Sequence, residues 1–379
     1  MLILGCNMQI EVYEMNPTES GMMITLTAVC DSFSSLLWDV QYFGCGNFEV
    51  YIAANARNLE IFQTGRIVGR DDDKQHYGII ESVKLETDAE NGDYLTVTGR
   101  FLMSILSRRI IYPTLSFSAL TSYEDMVRFA VYRNCMQSGN RLIPGLRHGN
   151  TVGTCWEQKS RLQVSYDNLM DWIFKICEMI GGTANIRLQE TSAGSGLYTM
   201  MLDLSQGTDR SILQEDNAHI VFSDSYCNLL TFDYSMDLSE QKNTAYVLGC
   251  GEGINRKQAL CYCGNEPIQL ERYEIFVDAK DVSDEIKENN ETVTISNDDY
   301  ISLLIEKGTE SLVSITEVSE STIASDARQY QYNKDYFVGD YVTVKHERFG
   351  LIQPKIQLVG MIESYDRNGR TLTPTFKGV

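Results

Sequence analysis

The sequence predicts a mainly β fold with α+β insertions, in which one chain carries two similar small β-barrel domains. Three observations support this class. A strand–turn–strand pattern occurs near residue 80 and again near residue 365. Short segments of β-branched and aromatic residues dominate both ends of the chain, which is typical of small barrels or sandwiches. Helical periodicity is confined to the segments between those ends.

The repeated pattern is G-x-I-E-S, then Asn-Gly, then Leu-Thr-x-Thr, and its two copies start 282 residues apart (360 minus 78). Asn-Gly tolerates the positive φ of a type I′ turn, so each copy reads as a β-hairpin. Chance resemblance between two hairpins is the alternative to duplication. The positions expected to mark equivalent hairpins are Gly78, Ile80, Glu81, Asn91, Gly92, Gly360, Ile362, Glu363, Asn368 and Gly369.

Side chains alternate along a strand, and this predicts the faces of both copies. We expect Ile80 and Ile362 to point into a core, and Glu81 and Glu363 to lie on the opposite face.

A first β-barrel is expected over residues 1–105. Its strands are predicted at 8–13, 22–29, 48–53 and 59–68, and the first repeated hairpin closes the series.

An inserted α+β domain is expected over 106–220. Ser122 precedes apolar residues at helical spacing and resembles a capping residue, with Asp125 in the place of the usual Glu or Gln. A second helix is predicted from near Asp167 to Gly181, because its apolar residues fall on one face and glycine permits the left-handed ending.

A second β-barrel is expected from residues 221–275 together with 325–379, interrupted by a helical insertion over 276–324. Strands are predicted at 229–234 and 244–249, and again from 336 to the end of the chain. Ser296 is expected to begin the third helix, with Ile301, Leu304 and Ile305 facing inward.

Composition narrows the functional classes. At 379 residues the chain should hold two to four domains. The net charge of −20 opposes sequence-specific binding of nucleic acid. Ten scattered cysteines, several within apolar runs, indicate free thiols rather than a disulfide framework. We expect neither a signal peptide at the start nor a membrane-spanning segment.

Motifs that carry chemistry are weak, so we expect no catalytic residue, cofactor or metal ligand. The run 249–253 is spaced GxGxG and reads as a turn rather than a dinucleotide loop. Cys261 and Cys263 lack the spacing of a zinc knuckle. The acidic segment 71–73 lacks an EF-hand register and is interpreted as a solvated turn.

The sequence resembles the baseplate hub and tail-tip (tail-associated) proteins of long-tailed phages and of phage-tail-like contractile bacteriocins. The similarity extends over nearly the whole chain through diffuse structural motifs. The segments that carry it are 78–82, 94–100, 245–253, the 300–312 helix, 338–344 and 360–364.

The resemblance implies two small barrels, an inserted α+β domain and a homotrimeric ring of pseudo-sixfold symmetry. Such a ring would join a sixfold tail tube above to a threefold spike or tip below, beside neighbouring baseplate proteins. The chain would be assembled in the bacterial cytoplasm and reside in a virion or bacteriocin particle. Many relatives carry a peptidase, lysozyme or fibre extension, whereas this sequence ends after its second hairpin, so we expect no enzymatic activity.

Two other functions remain open. A tail-associated cell-wall hydrolase would need a carboxylate pair in a cleft, for which Asp71, Glu81 and Glu363 are the candidates. A β-rich carbohydrate-binding adhesin module would need an exposed aromatic platform. We also expect the acidic charge to line the channel of the ring, where it would repel DNA or keep the pore hydrated; solubility of the component is the alternative explanation.

Overall fold

An antiparallel unit of seven strands forms the first half of the chain, residues 8–101. The computed structural model describes residues 8–18, 21–88, 92–137, 139–262, 264–288, 291–312, 316–323 and 329–378. The first half contains β1 (Ile10–Thr18), β2 (Gly21–Cys30), β3 (Ser35–Gln41), β4 (Asn47–Ala53), α1 (Ala56–Ile61), β5 (Ile67–Arg70), β6 (Gly78–Asp88) and β7 (Gly92–Phe101).

Helix α1 corrects the strand that the sequence predicts over 59–68. Asn55 precedes the helix, and its side-chain oxygen accepts a hydrogen bond from the backbone N–H of Asn58 at 2.8 Å. This cap satisfies a donor that the first helical turn leaves without a partner. Strand β5 then begins only at Ile67.

The inserted region, residues 102–220, packs two helices against its own strands, and both predicted helices are confirmed. Ser122 caps the first, and Gly181, with a φ of 70°, ends the second. The elements are β8 (Leu115–Ser122), α2 (Tyr123–Val131), β9 (Leu146–Thr151), β10 (Lys159–Val164), α3 (Leu169–Ile180), β11 (Gly182–Glu190) and β12 (Leu197–Gln206). The apolar faces of α2 and α3 share one core with Tyr13 and Ile79 of the first half.

The second half comprises residues 221–237 and 316–378, and a small subdomain, residues 244–312, interrupts it. In chain order the elements are β13 (Val221–Ser223), β14 (Leu229–Asp237), β15 (Thr244–Leu248), β16 (Gln258–Tyr262), β17 (Glu274–Asp278), β18 (Glu285–Glu288), β19 (Glu291–Thr294), α4 (Asn297–Thr309), β20 (Thr316–Ile323), β21 (Tyr341–His346), β22 (Leu351–Asp366) and β23 (Gly369–Gly378).

The small subdomain does not follow the expected bounds of 276–324. Strands β15, β16 and β17 pair only with one another among the described residues, and α4 covers one face of their sheet. Tyr300 and Leu304 of α4 pack on Ala245 and Val247 of β15. Strand β20, expected within the insertion, instead pairs with β14 and β23 of the second half.

One 16-stranded sheet joins both halves, and thirteen of its strands follow the path β11-β12-β2-β1-β5-β6-β7-β4-β3-β22-β23-β20-β14. The other three branch from this path: β9 pairs with β12, β21 pairs with β22, and β13 pairs with β21. The mainly β class is confirmed, but no pairing between described strands closes a barrel. The physical reason lies at the edges of the first half. Strand β3 pairs with β22 of the second half and β2 pairs with β12 of the inserted region, so neither edge is available to close the first half on itself.

The two halves have the same strand order. The first reads β3-β4-β7-β6-β5-β1 and the second reads β14-β20-β23-β22-β21-β13. If β2 is left out and the six strands of each half are numbered from 1 to 6 in chain order, both halves have the strand order 2-3-6-5-4-1. The first four pairings along each path are antiparallel in both halves. The last pairing differs, because β1 and β5 are antiparallel whereas β13 and β21 are parallel.

Each hairpin also carries a β-bulge at the same distance from its turn. The extra residue is Glu81 in β6 and Val359 in β22, and seven residues follow each bulge, 82–88 and 360–366. Counted from the bulge, Ser82 corresponds to Gly360. The sequence-based match of Gly78 with Gly360 is therefore four residues out of step (82 minus 78), because the two G-x-I-E-S segments lie at different distances from their turns.

Candidate assembly site: the seam between the two halves

Strand β3 forms the seam with the last part of β22. The paired segments run antiparallel from Leu36 opposite Tyr365 to Gln41 opposite Gly360. Alternate residues of β3, including Trp38 and Val40, are buried, which is the pattern of a strand with one covered face. The sheet thus passes from one half of the chain to the other without a break.

A fully buried arginine, Arg70 at the end of β5, connects the two halves through its side chain. Its Nε and Nη2 donate to the two carboxylate oxygens of Asp72 at 2.8 Å each. Its Nη1 and Nη2 donate to the two oxygens of Glu363 at 2.8 and 3.4 Å. One guanidinium therefore binds a carboxylate from each half, in the bidentate geometry that arginine favours.

Two further side chains of the second half complete the cluster. Tyr365 accepts from Arg70 Nη2 and donates to Glu363 Oε2, both at 3.1 Å. Arg370 Nε donates to the same oxygen of Glu363 at 2.8 Å. The guanidinium of Arg70 also lies 5.5 Å from the ring centroid of Trp38 and 5.2 Å from that of Tyr365. The aromatic rings exclude water while their faces favour the positive charge.

The charged groups of the cluster can be buried because each has an oppositely charged partner and hydrogen bonds. Burial alone would lower the pKa of Arg70, but its hydrogen bonds to Asp72 and the charge of Glu363 outweigh burial and raise that pKa well above its usual value. A buried pair of this kind contributes little net stability over apolar packing, yet the loss of one partner is costly. The cluster therefore specifies how the two halves meet.

Asp73 anchors the other end of Trp38. Its Oδ2 accepts from the indole N–H of Trp38 at 3.1 Å and lies 2.8 Å from Nδ1 of His76. Burial would raise the pKa of Asp73, but the charges of His76 and Arg70, together with its hydrogen bonds, hold that pKa well below its usual range. The expected solvated turn at 71–73 is wrong for this residue, because Asp73 is buried.

Beside the seam, the inserted region meets both halves at a tight joint. The hydroxyl of Tyr42 donates to the backbone oxygen of Gly181 at 3.1 Å and accepts from the backbone N–H of Gly207 at 2.9 Å. Asp340 accepts from the Thr208 N–H at 2.8 Å. A Cβ added at Gly207 would lie 1.8 Å from the backbone oxygen of Gly339. These two segments of the backbone therefore approach too closely for any side chain at Gly207. A cleft of about 450 Å³ opens beside this joint.

The first repeated hairpin lies partly as expected. Ile80 is buried in the core of the first half, and Glu81 faces outward, bound by Arg100 Nη2 at 2.8 Å. Gly78 is buried where a Cβ would lie 2.3 Å from the ring of Phe48. Asn91 falls outside the described residues, whereas Gly92 is described and has a φ of 89°.

The second repeated hairpin corrects the expected faces. Glu363 is buried in the seam and Ile362 is only half-buried, the reverse of the prediction. The bulge explains the reversal: Ile80 precedes its bulge and Ile362 follows its own, and a bulge exchanges the faces of a strand. The expected type I′ turn is also wrong, since Gly369 has a φ of 111° but Asn368 does not have a positive φ.

The three carboxylates considered for hydrolysis are not brought together as a catalytic pair. Glu363 is held by two arginines, Glu81 is held by Arg100, and Asp71 accepts from the backbone N–H of Gln9 at 2.7 Å. Among the described residues, no group of His, Cys, Asp or Glu is placed to hold a metal ion. None of the described helices is long and apolar enough to cross a membrane. The eight cysteines within the described ranges are free.

Sequence reasoning missed the residues that make the seam. Strand β3 was not predicted, although Leu36, Trp38 and Val40 occupy alternate positions. Arg70 precedes three aspartates and reads as part of an exposed charged turn. No local signal distinguishes it, because its partner Glu363 lies 293 residues away.

Three solved structures are similar to this chain over nearly its full length. A tail protein from Neisseria meningitidis matches with a TM-score of 0.58 and 12% identity, covering 98% of this chain and 97% of the other. The 43 kDa tail protein of prophage MuSo2 from Shewanella oneidensis gives 0.54 and 11%, covering 97% and 98%. Prophage tail protein gp18 from Listeria monocytogenes gives 0.51 and 10%, covering 97% and 94%. These matches show a shared fold.

A search of curated proteins found no match. The sequence profile of one family, described as Siphovirus ReqiPepy6 Gp37-like protein, matches residues 19–376. The predicted relation to phage tail proteins is confirmed by this family of a siphovirus protein together with the fold shared with tail proteins. The chain belongs to the family of Siphovirus ReqiPepy6 Gp37-like proteins.

Proposed function

We propose that this chain is a hub or tail-tip adaptor that joins a sixfold tail tube to a threefold spike or tip. It acts as a homotrimeric ring in a virion or a bacteriocin particle, beside neighbouring baseplate proteins. Each chain contributes two copies of one β-module, so that three chains offer six similar modules to the tube. The module copies correspond to the first half and the second half, with the inserted region and the small subdomain as additions.

The observation that carries this proposal is the shared strand order of the two halves, together with the equal spacing from bulge to turn. Six strands paired in the same order, with the same hairpin register, are an improbable coincidence. Closed cyclic rings are the usual form of homo-oligomers, and two modules per chain match six tube subunits only when three chains close the ring.

The seam supports this role because it fixes one module against the other. A ring that transmits symmetry needs its two modules held at one angle. The continuous β3–β22 pairing and the Arg70–Glu363 ion pair both oppose hinge motion between them. A buried ion pair adds little net stability, so its expected role here is to specify the arrangement of the two modules.

Localisation in the particle tests the proposal. A particle carrying an affinity-tagged copy of the chain would be labelled with gold and imaged by electron microscopy. The label should appear at the junction of tube and tip, and particles that lack the chain should have tubes without tips. A label along the tube or on side fibres would contradict the adaptor role. Clearing of peptidoglycan by the purified chain would instead favour the hydrolase.

A further inference from the structure

The seam inside the chain predicts a second seam between chains. Strand β3 of the first half pairs with residues Gly360–Tyr365 of β22 in the second half. In the shared strand order, β14 takes the place of β3 and β6 takes the place of β22. We propose that β14 of one chain pairs with residues 82–87 of β6 in a second copy of this chain. This inference rests on the proposed function, in which like modules alternate around a ring.

The required edge of β6 is open. Strand β5 pairs with β6 only at Gly78 and Ile79. Two further backbone hydrogen bonds of 2.8 Å hold Ile80, whose N–H donates to the oxygen of Arg66 and whose oxygen accepts from the N–H of Gly65. Beyond the bulge at Glu81, no described strand pairs with that side of β6. The corresponding stretch of β22 is the one that β3 covers. The first half therefore exposes the edge that is already used once within the chain.

The matching edge is the outer side of β14. This strand is the last in the sheet path and pairs with β20 alone among the described strands. It runs for nine residues, long enough to cover the six residues of β6. An exposed strand edge of this length is a template for pairing with another chain.

The register of the proposed seam follows from the pairings already present. Glu49 and Glu320 lie opposite Thr98 and Thr375, which are equivalent positions of the two outgoing hairpin strands. The same comparison extends to the next strand of each half, β3 and β14. It makes Val40 structurally equivalent to Met236, Trp38 to Tyr234 and Leu36 to Phe232. Within the chain, Val40, Trp38 and Leu36 face Met361, Glu363 and Tyr365.

The corresponding pairs between chains are Val83 with Met236, Leu85 with Tyr234 and Thr87 with Phe232. All of these side chains lie on one face of the proposed seam, because they alternate along each strand.

That face is only partly covered: Val83 and Phe232 pack in part against the cores of their own halves, whereas Leu85 and Met236 are exposed. Leu85 is 55% exposed, whereas Glu363 at the equivalent place in the existing seam is 1% exposed. Met236 is 58% exposed, whereas Val40 at its equivalent place is 3% exposed. Large apolar side chains stand in water at the positions that the intrachain seam buries. Pairing would remove them from water and supply the hydrophobic part of the contact.

The opposite face has mixed charges. Lys84 falls opposite Ser235, with Asp233 and Asp237 at the diagonal positions, which are close enough for long side chains to interact. Glu86 falls opposite Asp233 and opposes pairing, although it already forms an ion pair with Lys84 at 2.7 Å. The lysine between two aspartates fixes the register more than it adds affinity.

A head-to-tail contact of this kind repeats. Each chain offers one β6 edge and one β14 edge, so the contact produces a closed ring or an open filament, according to the rotation between modules. If the seam between chains copies the seam within a chain, six modules from three chains close the ring when each seam turns by one sixth of a revolution.

Cysteine cross-linking tests the seam directly. The parent for all variants carries Cys227→Ser, because Cys227 is the exposed cysteine among those described. Val83→Cys and Met236→Cys are made separately, purified as full chains at high concentration, mixed and oxidised. The matched control replaces Met236→Cys by Leu230→Cys. Leu230 is exposed on the same strand, six residues away, which is about 20 Å along a strand and beyond the reach of a disulfide.

The expected result is a disulfide-linked dimer only when Val83→Cys and Met236→Cys are mixed, with the 83–236 peptide link found by mass spectrometry. A chain carrying both substitutions should oxidise to a covalent trimer. A link that also forms with Leu230→Cys, or no link at all, overturns the seam.

The two proposals fail separately. A trimer by light scattering without the 83–236 link refutes the seam and keeps the trimeric hub. The specific link in open chains, or in a ring of another size, supports the seam and refutes the trimer.

Discussion

Replacing Glu363 by glutamine tests whether the buried cluster holds the two halves together. The substitution keeps the shape of the side chain and removes its charge. Glu363 accepts from two groups of Arg70 at 2.8 and 3.4 Å, from Tyr365 at 3.1 Å and from Arg370 at 2.8 Å. Glutamine retains one acceptor oxygen and adds an N–H₂ group that faces arginine donors.

The magnitude follows from burial. Removing one partner of a buried ion pair costs about 3–5 kcal/mol. Asp72 still neutralises part of the charge on Arg70, so we expect the lower end, about 3 kcal/mol. At about 2 °C per kcal/mol for a large domain, the midpoint of thermal unfolding should fall by about 6 °C.

The matched control is Glu81→Gln, at the same place in the other G-x-I-E-S segment. Glu81 also binds an arginine in bidentate geometry, with distances of 2.8 and 3.0 Å to Arg100. That pair is exposed, so its loss should cost below about 1 kcal/mol. Differential scanning calorimetry on both variants measures the difference. Equal shifts for the two variants would refute the claim that burial makes the Glu363 cluster decisive.

Three further predictions concern the joint, acid stability and thiol reactivity. Gly207→Ala should destabilise the chain by about 3 kcal/mol in urea unfolding, because its Cβ would collide with the backbone of Gly339 and overpacking costs about this much. Stability supplied by Asp73, whose folded pKa lies below the usual 3.8, should be present above about pH 4 and decline as pH falls further; Asp73→Asn should remove this dependence. Cys227 should react with maleimide before the buried cysteines, whose thiolates are disfavoured.

Each of these predictions has a control. Gly44→Ala places its Cβ in ordinary contact at 3.4 Å from Gln41 and should change stability little. Parallel acid profiles for wild type and Asp73→Asn would contradict the role of that carboxylate. Burial raises the pKa of Cys45 to about 11, so its labelling at neutral pH as fast as Cys227 would contradict the packing around it.

The sequence predicted much of the local structure and little of the seam. Helices α2, α3 and α4 were found because their caps and apolar faces are local signals. The face expected for α4 is wrong at Ile305, which is 40% exposed, whereas Leu304 is buried as expected. Strand β3 was missed because Leu37, a large apolar residue, obscures the alternation of Leu36, Trp38 and Val40. Its importance comes from β22, a strand more than 300 residues later, and pairing over such a distance leaves no local trace.

The repeat illustrates a different limit. The match between Gly78 and Gly360 in the sequence led to Ile362 being assigned to the core. The pairings place the correspondence four residues later, at Ser82, because a bulge follows Ile80 in one copy and precedes Gly360 in the other. A bulge shifts a strand by one residue without a distinctive sequence, so the faces beyond it could not be predicted. The acidic channel surface also stays a prediction.

Reconstruction of the native particle by cryo-electron microscopy, without imposed symmetry, tests the central claim most directly. The account predicts three copies of this chain in one ring between tube and tip. Their six β-modules should be arranged with near-sixfold symmetry, and β14 of each chain should lie against β6 of the next. Two or six copies at that level, or three copies whose two halves occupy unrelated positions, would contradict it.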